Sequence, residues 1–345
     1  MRGFILYLMV FFWPCLFGEE IAPAMGDLNQ DGVVEAVDAV LLINYLAGNL
    51  DTLYAAGVFY QVDSIVGVLR YMPAGTFLQG YGPGDPCGFS DETPFSHTLT
   101  AHLAVMRTEV TRRMWAALKV RQATLPADPT NETYGAGMDN PVQQVSWYEA
   151  VLFANLLSVE RGRTRCYYTD AAFTVPVDAG NYTTGPFYCD WSADGYRLPT
   201  EGEWEYVCRA GTTTPFSINE PNFTSCDDFC TAGSLPGLES VAWFCANLWD
   251  AAGSNTTKPT GLKDENPWGL QDVHGNVFEW CWDWYDLYPT GPVTDYRGVT
   301  SGTYRMKRGG GWGTGAVACR SALRSFGLPV NRYNDSGFRL CRSVD

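Results

Sequence analysis

The sequence predicts an α+β domain with much irregular structure over residues 60–345, preceded by a small loop-and-helix unit at residues 25–50. In the main domain, capping residues mark the starts of short helices, and residues 68–80 alternate before breaking at a glycine, as a strand entering a turn does. In the smaller unit, a loop rich in oxygen side chains precedes an apolar helical pattern.

The amino terminus has the form of a secretory signal. Arg2 precedes the apolar run Phe4–Phe17, which is too short to cross a bilayer as a helix of about 20 residues. Cleavage after Gly18 or after Ala24 fits the flanking sequence, and we take residues 1–24 as the signal peptide. The sequence therefore predicts a secreted or cell-surface protein without a membrane span.

Composition excludes some classes of partner. The chain has 23 Lys and Arg against 38 Asp and Glu, a net charge of −15, whereas nucleic-acid binding requires a basic surface. We therefore expect neither nucleic acid nor an anionic membrane surface as a partner. Of the 11 cysteines, only Cys15 lies in the signal, so ten remain in the mature chain. An even number of cysteines in an exported chain favours disulfides.

Residues 27–38 read DLNQDGVVEAVD and have the spacing of an EF-hand-like calcium loop. Side-chain oxygens stand at loop positions 1, 3, 5, 9 and 12, Gly32 at position 6 takes the sharp bend, and position 7 offers a backbone carbonyl. The helical pattern Val40–Leu46 follows at once. The predicted calcium ligands are Asp27, Asn29, Asp31, Val33, Glu35 and Asp38.

This loop and helix resemble one repeat of a type I dockerin, the module that docks on cohesin scaffolds. The resemblance implies calcium binding at residues 25–50 and a cohesin-type scaffold as a possible partner class. Dockerins normally carry two repeats, and residues 51–70 contain no second D-x-N-x-D-G run. We take residues 51–59 as a linker.

Three helix starts in the main domain have their own capping chemistry. Thr111 precedes the apolar positions of the first helix, while Ser146 with Glu149 and Thr200 with Glu203 have capping-box spacing. We interpret the acidic residues of the third helix as charges that complement the helix dipole, and not as catalytic carboxylates.

Four more blocks complete the domain: NPWGLQDVHGNVFEW at 266–280, RMKRGGGW at 305–312, CRSALR at 319–324 and GFRL at 337–340. Together with the opening strand and the helix starts, in this order, they resemble the sulfatase-modifying factor, or formylglycine-generating enzyme, family. The resemblance covers about five-sixths of the chain and implies a C-type-lectin-like fold.

The resemblance also implies a structural calcium site in the turn at residues 272–279. The family motif places the ligands at Asp272, Gly275, Val277 and Glu279. Such a mixture of side-chain and carbonyl oxygens suits a hard cation. Calcium is thus the cofactor we expect.

Catalytic members of the family resemble one another in a pair of cysteines, four residues apart after the double glycine, which holds copper(I) through soft sulfur. Residues 312–318 read WGTGAVA and contain no cysteine, and Gly311 stands where those members have serine. Cys319 is the one nearby sulfur. A related iron-dependent branch uses histidine ligands, and the three histidines of this chain show no metal-binding spacing.

Loops would carry a binding function on such a scaffold. Residues 312–318 and 325–336 interrupt the closing motifs with small and polar residues, and similar segments are the diversified positions of retroelement-variable proteins of this fold. The candidate ligand-binding residues are Trp312, Thr314, Phe326, Asn331, Tyr333 and Asn334.

Three functions are compatible with these observations. The first is a secreted, noncatalytic recognition domain for a protein or glycan ligand. The second is a formylglycine-generating oxidase that acts on a sulfatase cysteine with a different sulfur arrangement. The third is a scaffold-docked component of an extracellular polysaccharide-degrading assembly, addressed by the calcium repeat.

We expect three disulfides. Cys166 and Cys189 flank a Thr- and Gly-rich segment with strand-like ends and should staple a hairpin. Cys281 follows the 272–279 turn and is paired with Cys319, which opens the nearby core element. A bridge in the family implies a third pair, Cys208 with Cys341, where Cys341 lies one residue from the matching position.

Asp31→Ala should weaken calcium binding by the loop at residues 27–38, because affinity depends on the charge and number of ligands. Calcium titration of the native chain should increase the helical circular-dichroism signal of residues 25–50, and the variant should need more calcium. A helical signal that calcium leaves unchanged in the native chain would contradict the prediction.

Overall fold

The structure, a computed structural model, describes residues 60–226, 230–231, 234–248 and 256–344. The predicted signal peptide, calcium loop and linker lie outside these residues. The helices of the described ranges are α1 Arg112–Arg121, α2 Trp147–Glu160, α3 Glu201–Arg209 and α4 Pro236–Val241, with 3-10 segments at Ser90–Glu92, Glu132–Tyr134 and Ala316–Cys319. Within these ranges no helix has the length and apolar character needed to cross a membrane.

The strands are short and form several small sheets. In chain order they are β1 Tyr60–Asp63, β2 Gly67–Met72, β3 Gly75–Gln79, β4 Phe95–Leu99, β5 His102–Met106, β6 Tyr167–Tyr168, β7 Tyr188–Cys189, β8 Ala242–Trp243, β9 His274–Gly275, β10 Phe278–Trp284, β11 Val293–Thr294, β12 Arg305–Arg308, β13 Ser325–Gly327, β14 Ser336–Gly337 and β15 Cys341–Val344. The larger sheets have the orders β1-β2-β5-β15, β13-β12-β10-β14 and β11-β4-β3, while β6 pairs with β7 and β8 with β9. The predicted α+β class is confirmed.

The three predicted helix caps are present. The Thr111 hydroxyl accepts a hydrogen bond from the backbone at the start of α1. Before α2, the Ser146 hydroxyl accepts from the Glu149 amide at 3.2 Å, and the Glu149 carboxylate accepts from the Ser146 amide at 2.9 Å. Thr200 and Glu203 make the same reciprocal pair before α3, at 3.1 and 2.8 Å. Local hydrogen bonding therefore defines where each of these helices begins.

Helix α2 lies at the centre of the largest apolar cluster. Most of its residues are buried, including Trp147 and Phe153, as expected of a helix that is apolar on all sides. A second cluster packs α3 against β10, β12 and β15, and a third surrounds α4 and the 3-10 segment at residues 316–319. The last two clusters flank the double glycine at residues 309–310.

The disulfides of the structure join Cys87 to Cys226 and Cys230 to Cys245, and the three predicted pairs are not formed. The hairpin of β6 and β7 exists, but its register places Cys189 opposite Tyr167. Cys166 is therefore one position out of register with Cys189, and a shift of one residue turns a strand side chain to the other face.

The cysteines of the other two predicted pairs contact other groups. The Cys208 sulfur lies 3.5 Å from the Ser321 hydroxyl, whereas the Cys341 sulfur accepts from the Arg197 guanidinium at 3.1 Å. Cys281 belongs to the second apolar cluster and Cys319 to the third. The positions of these cysteines in the sequence motifs did not predict which groups their sulfurs contact, because those contacts are set by tertiary packing.

The acidic residues of α3 are buried ion-pair partners, which corrects their interpretation as simple helix-dipole charges. The Glu205 carboxylate binds the guanidinium groups of Arg308 and Arg209, and Glu201 pairs with Arg324 at 2.7 Å. Arg308 also donates to the carbonyls of residues 321, 322 and 323 at 2.7–2.8 Å. This network joins α3, β12 and the segment after the candidate loop.

Arg308→Met should lower the free energy of unfolding by about 3–5 kcal/mol, because it leaves the buried Glu205 charge without its main partner. Urea unfolding of the folded domain measures this change. Arg113→Met is the matched control, since Arg113 pairs with Asp139 at the surface and such pairs contribute little. Equal unfolding midpoints for the two variants would show that the buried network is not what stabilises this region.

Candidate functional site

Two glycines in left-handed conformation turn the chain from β12 into the candidate loop. Gly309 and Gly310 have φ angles of +96° and +82°, which residues other than glycine rarely adopt. A Cβ atom on Gly310 would lie 2.9 Å from the Cys319 sulfur. The double glycine therefore allows the loop to start directly against the 3-10 segment at residues 316–319.

Thr314 closes the loop on itself. Its hydroxyl donates to the Gly311 carbonyl at 2.8 Å and accepts from the Gly311 amide at 3.1 Å. Its own carbonyl accepts from the Cys245 amide at 3.0 Å. Thr314, predicted as a ligand contact, thus uses its hydroxyl to form the turn.

Trp312 connects three segments at the surface of this loop. Its ring stacks on Tyr134 with centroids 5.6 Å apart, its indole N–H donates to the Asn334 carbonyl at 3.0 Å, and its amide donates to the Asn276 carbonyl at 2.7 Å. The structure therefore brings Trp312 and Asn334 together as one surface.

The remaining predicted contacts divide between two places. The Tyr333 hydroxyl accepts from the Leu328 amide and the Asn331 side chain, both at 3.2 Å, which keeps Asn331 with Tyr333. Phe326 instead packs against Tyr285, with ring centroids 4.3 Å apart. Gly327, the next residue of β13, faces Tyr333, and because successive strand residues point to opposite faces, Phe326 belongs to a separate surface.

A buried lysine lies behind Tyr333. The Lys307 ammonium lies 4.2 Å from the centroid of the Tyr333 ring and 5.0 Å from that of Phe278, and it donates to the Ser336 hydroxyl at 3.1 Å. Burial lowers the pKa of Lys307. In the sequence this lysine is only one residue of the RMKRGGG motif. Its aromatic surroundings could not be predicted, because they depend on the pairing of β12 with β10.

The position where catalytic relatives have serine is tightly enclosed. A Cβ atom on Gly311 would lie 3.3 Å from the Cβ and the carbonyl oxygen of Asp335, and 3.3 Å from a ring carbon of Phe278. Such distances are shorter than ordinary van der Waals contacts, so even the first carbon of a serine would require its neighbours to move. A larger residue at position 311 would therefore fit only after its neighbours shift by a few tenths of an ångström.

In the turn predicted to bind calcium, Asp272 and Glu279 differ. Asp272 is buried with φ +58°; one carboxylate oxygen accepts from the Gly261 amide at 2.7 Å, and among the described residues the other has no hydrogen-bond partner. Burial raises the pKa of Asp272 to about 6. Both Glu279 oxygens accept from Arg339 at 2.7 Å. Asp272 therefore has a carboxylate oxygen suited to coordinate a cation, whereas the Glu279 carboxylate is occupied by its ion pair with Arg339.

A third carboxylate, missed from the sequence, lies under the same turn. Glu109 accepts from the Asn276 side chain at 2.8 Å and from the Val277 amide at 3.1 Å. The pKa of Glu109 is raised well above its ordinary value, mainly by burial and further by the negative charges of Asp272 and Glu279. In the described part of the chain no group of three or more His, Cys, Asp or Glu side chains could hold a metal ion, so calcium here requires backbone carbonyls as well.

His274 connects this turn to the candidate loop. Its Nδ1 donates to the Cys319 carbonyl at 2.8 Å, which leaves Nε2 to accept from the Ser217 amide at 3.1 Å. Burial lowers the pKa of His274 to about 4. The hydrogen bonds and the burial together assign His274 a structural role as a neutral imidazole.

The stability of the domain should therefore depend on pH through His274. Its ordinary pKa is 6.5 and its folded pKa about 4, so the unfolded chain takes up the proton first as the pH falls. This group should lower the free energy of unfolding by about 3 kcal/mol as the pH falls from about 6.5 to 4, and its contribution should stay constant below that. Asp272, whose folded pKa of about 6 lies above its ordinary 3.8, acts in the opposite sense over the same range, so the test compares the native chain with His274→Gln by urea unfolding at each pH. The difference in unfolding free energy between the two should decrease by about 3 kcal/mol from pH 6.5 to 4, and a difference that does not change with pH would contradict the prediction.

Comparison with known proteins agrees with this architecture. The chain is 29% identical over 257 residues to the Chaperone protein LppX of Paenibacillus barcinonensis, covering 68% of this chain and 78% of that protein. It is 30% identical over 184 residues to the formylglycine-generating enzyme of Streptomyces coelicolor and 32% identical over 180 residues to that of Mus musculus. These matches cover 49% and 48% of this chain, which spans about half the length of the two enzymes, 53% and 43%.

Among solved structures, Treponema denticola variable protein 1 has a TM-score of 0.65 and 27% identity, covering 83% of this chain and 99% of its own. PvdO from Pseudomonas aeruginosa shares the fold, with a TM-score of 0.62 over 84% of this chain and 99% of its own, at 24% identity. A dockerin type I domain matches residues 22–57. The domain described as sulfatase-modifying factor enzyme 1-like matches residues 65–344, and the chain belongs to that family.

Proposed function

We propose that this chain is an exported, noncatalytic recognition protein that binds a macromolecular ligand through its loops. One observation carries the proposal. The loop that begins at Gly311 contains no cysteine up to residue 318, and Gly311 is enclosed by Asp335 and Phe278 where catalytic relatives have serine.

Oxidation of a peptidyl cysteine through copper(I) requires two thiolates, because a soft monovalent metal is best held by sulfur. Cys319 is the one nearby sulfur in sequence, and it is buried against Gly310 and the Gly315 carbonyl. A thiol enclosed in this way lacks the exposure of a reactive cysteine. These features argue against the oxidase alternative.

The loops offer a recognition surface instead. Trp312 and Tyr134 present stacked rings beside Asn334, and aromatic side chains contribute strongly to binding interfaces because they bury much area at low entropic cost. The rigid turn around Thr314 holds Trp312 in place without a ligand. Since one relative is named as a chaperone, a protein is the ligand class we favour over a glycan.

The amino-terminal match supports a second function, docking on a cohesin-type scaffold. A dockerin type I domain matches residues 22–57, and the loop at residues 27–38 has the ligand spacing of a calcium site. A pull-down of the native chain with cohesin modules, with and without a chelator, tests this docking function. Capture that the chelator abolishes is the expected result, and absence of capture in calcium would remove the docking function.

Calcium in the main domain is also part of the proposal. Asp272 offers a buried oxygen that has no hydrogen-bond partner in the described part of the chain, and a divalent cation beside it would relieve the repulsion among Asp272, Glu109 and Glu279. The carbonyls of Gly275 and Val277 would complete such a site, with Glu279 held in place by Arg339. Export is supported by the apolar amino terminus and by the disulfides of the structure.

The purified mature chain should not convert a cysteine in a sulfatase-type peptide to formylglycine. Copper(I), oxygen and the peptide are incubated with the chain, and mass spectrometry detects the product; a formylglycine-generating enzyme treated identically is the positive control. Formylglycine that requires this chain and disappears in Cys319→Ser would overturn the noncatalytic assignment and support the oxidase alternative.

A further inference from the structure

A small cavity lies away from the candidate loop, between the end of β4, the segment leading into α3 and the residues after β11. Its volume is about 50 Å³, and its walls include Thr100, Trp191, Arg197, Glu203, Asp295 and Arg297. A cavity of this size holds about three or four water-sized groups. It can therefore admit the end group of a ligand but not a sugar ring.

Most of the charged groups in the wall already have hydrogen-bond partners within the protein. Arg197 binds both oxygens of Glu203, at 2.6 and 2.8 Å, and donates to the Ser343 hydroxyl at 3.2 Å. The two Asp295 oxygens accept from the Thr100 amide and hydroxyl at 2.8 and 2.5 Å. Both carboxylates and the buried guanidinium are thus satisfied by the protein itself.

Arg297 is the exception. Its guanidinium carbon lies 4.4 Å from the centroid of the Trp191 ring, and within the described residues Arg297 has no hydrogen bond or ion pair with any other group. Stacking on an indole fixes the plane of a guanidinium and leaves its N–H edge available for a planar, bidentate partner. Arg297 is exposed, so the mouth of the cavity presents one oriented cation whose donors have no acceptor among the described residues.

The geometry points to an oxyanion subsite at Trp191 and Arg297, which binds the carboxylate, sulfate or phosphate end group of a larger ligand. The wall also carries the charges of Glu203, which interacts electrostatically with Arg297, and of Asp295. The oxygens of these carboxylates already accept hydrogen bonds from Arg197 and Thr100, whereas the N–H donors of Arg297 are open to a ligand. An oxyanion can accept from these donors, and a cation cannot. Charge-assisted, bidentate hydrogen bonds from arginine to an oxyanion are the strongest polar contacts this wall can form. This subsite does not depend on whether the main domain is noncatalytic.

The test follows the Trp191 side chain directly. The full chain is labelled with 5-fluorotryptophan, and the Trp191 fluorine resonance is assigned with Trp191→Phe among the 12 tryptophans. Acetate, sulfate, phosphate and glucuronate are titrated in turn, with potassium chloride at equal ionic strength and glucose as controls. A saturable shift of this resonance with an oxyanion, absent with both controls, is expected, and the preferred anion identifies the end group.

Variants separate a binding role from a surface charge. Arg297→Gln should weaken anion binding by about tenfold or more. Arg297→Lys should retain part of the affinity, because lysine keeps the charge but lacks the planar pair of N–H donors. Arg121→Gln, which alters an exposed arginine paired with Glu160, should have no effect. The proposal is overturned if chloride shifts the resonance equally, if no oxyanion shifts it, or if Arg297→Gln binds as the native chain does.

Discussion

The Arg308 guanidinium is the interaction on which the architecture around the loops depends. It extends from β12 to the Glu205 carboxylate in α3 and to three successive carbonyls of residues 321–323. Arg308, Glu205, Ser321 and Ala322 are buried and Leu323 is half-buried, and a buried charge is tolerated only when its hydrogen bonds are made within the protein. Because the double glycine follows Arg308 directly, this network also determines where the candidate loop begins.

What the sequence could predict is local. The capping pairs Ser146–Glu149 and Thr200–Glu203 involve residues three positions apart, so their hydrogen bonds could be read without knowledge of the rest of the chain. The segment at residues 68–80 was expected as one strand, yet β2 and β3 join different sheets on either side of Pro73. Cysteine pairing failed for the same reason, since strand register and cluster membership are properties of the tertiary structure.

The candidate site shows the same division. Trp312 and Asn334 were selected from separate loops, and the structure places them in contact. Lys307 and Glu109 were not selected, because a charged residue in a strand or before a helix looks ordinary until its burial is known. Arg297 was missed for another reason: its distinguishing feature is the stack on Trp191, a residue more than a hundred positions away in the chain.

The loop after the double glycine can lack cysteine without damage to the scaffold, because the hydrogen bonds that close the loop differ from those of the buried network. Arg308 belongs to that network beside α3, whereas the turn that starts at Gly311 closes through the Thr314 hydroxyl and is joined to its surroundings by the Trp312 amide and the Thr314 carbonyl. Asp335 and Phe278 then occupy the space next to Gly311. A loop held in this way can exchange reactive residues for an aromatic surface while α3, β10 and β12 keep their packing.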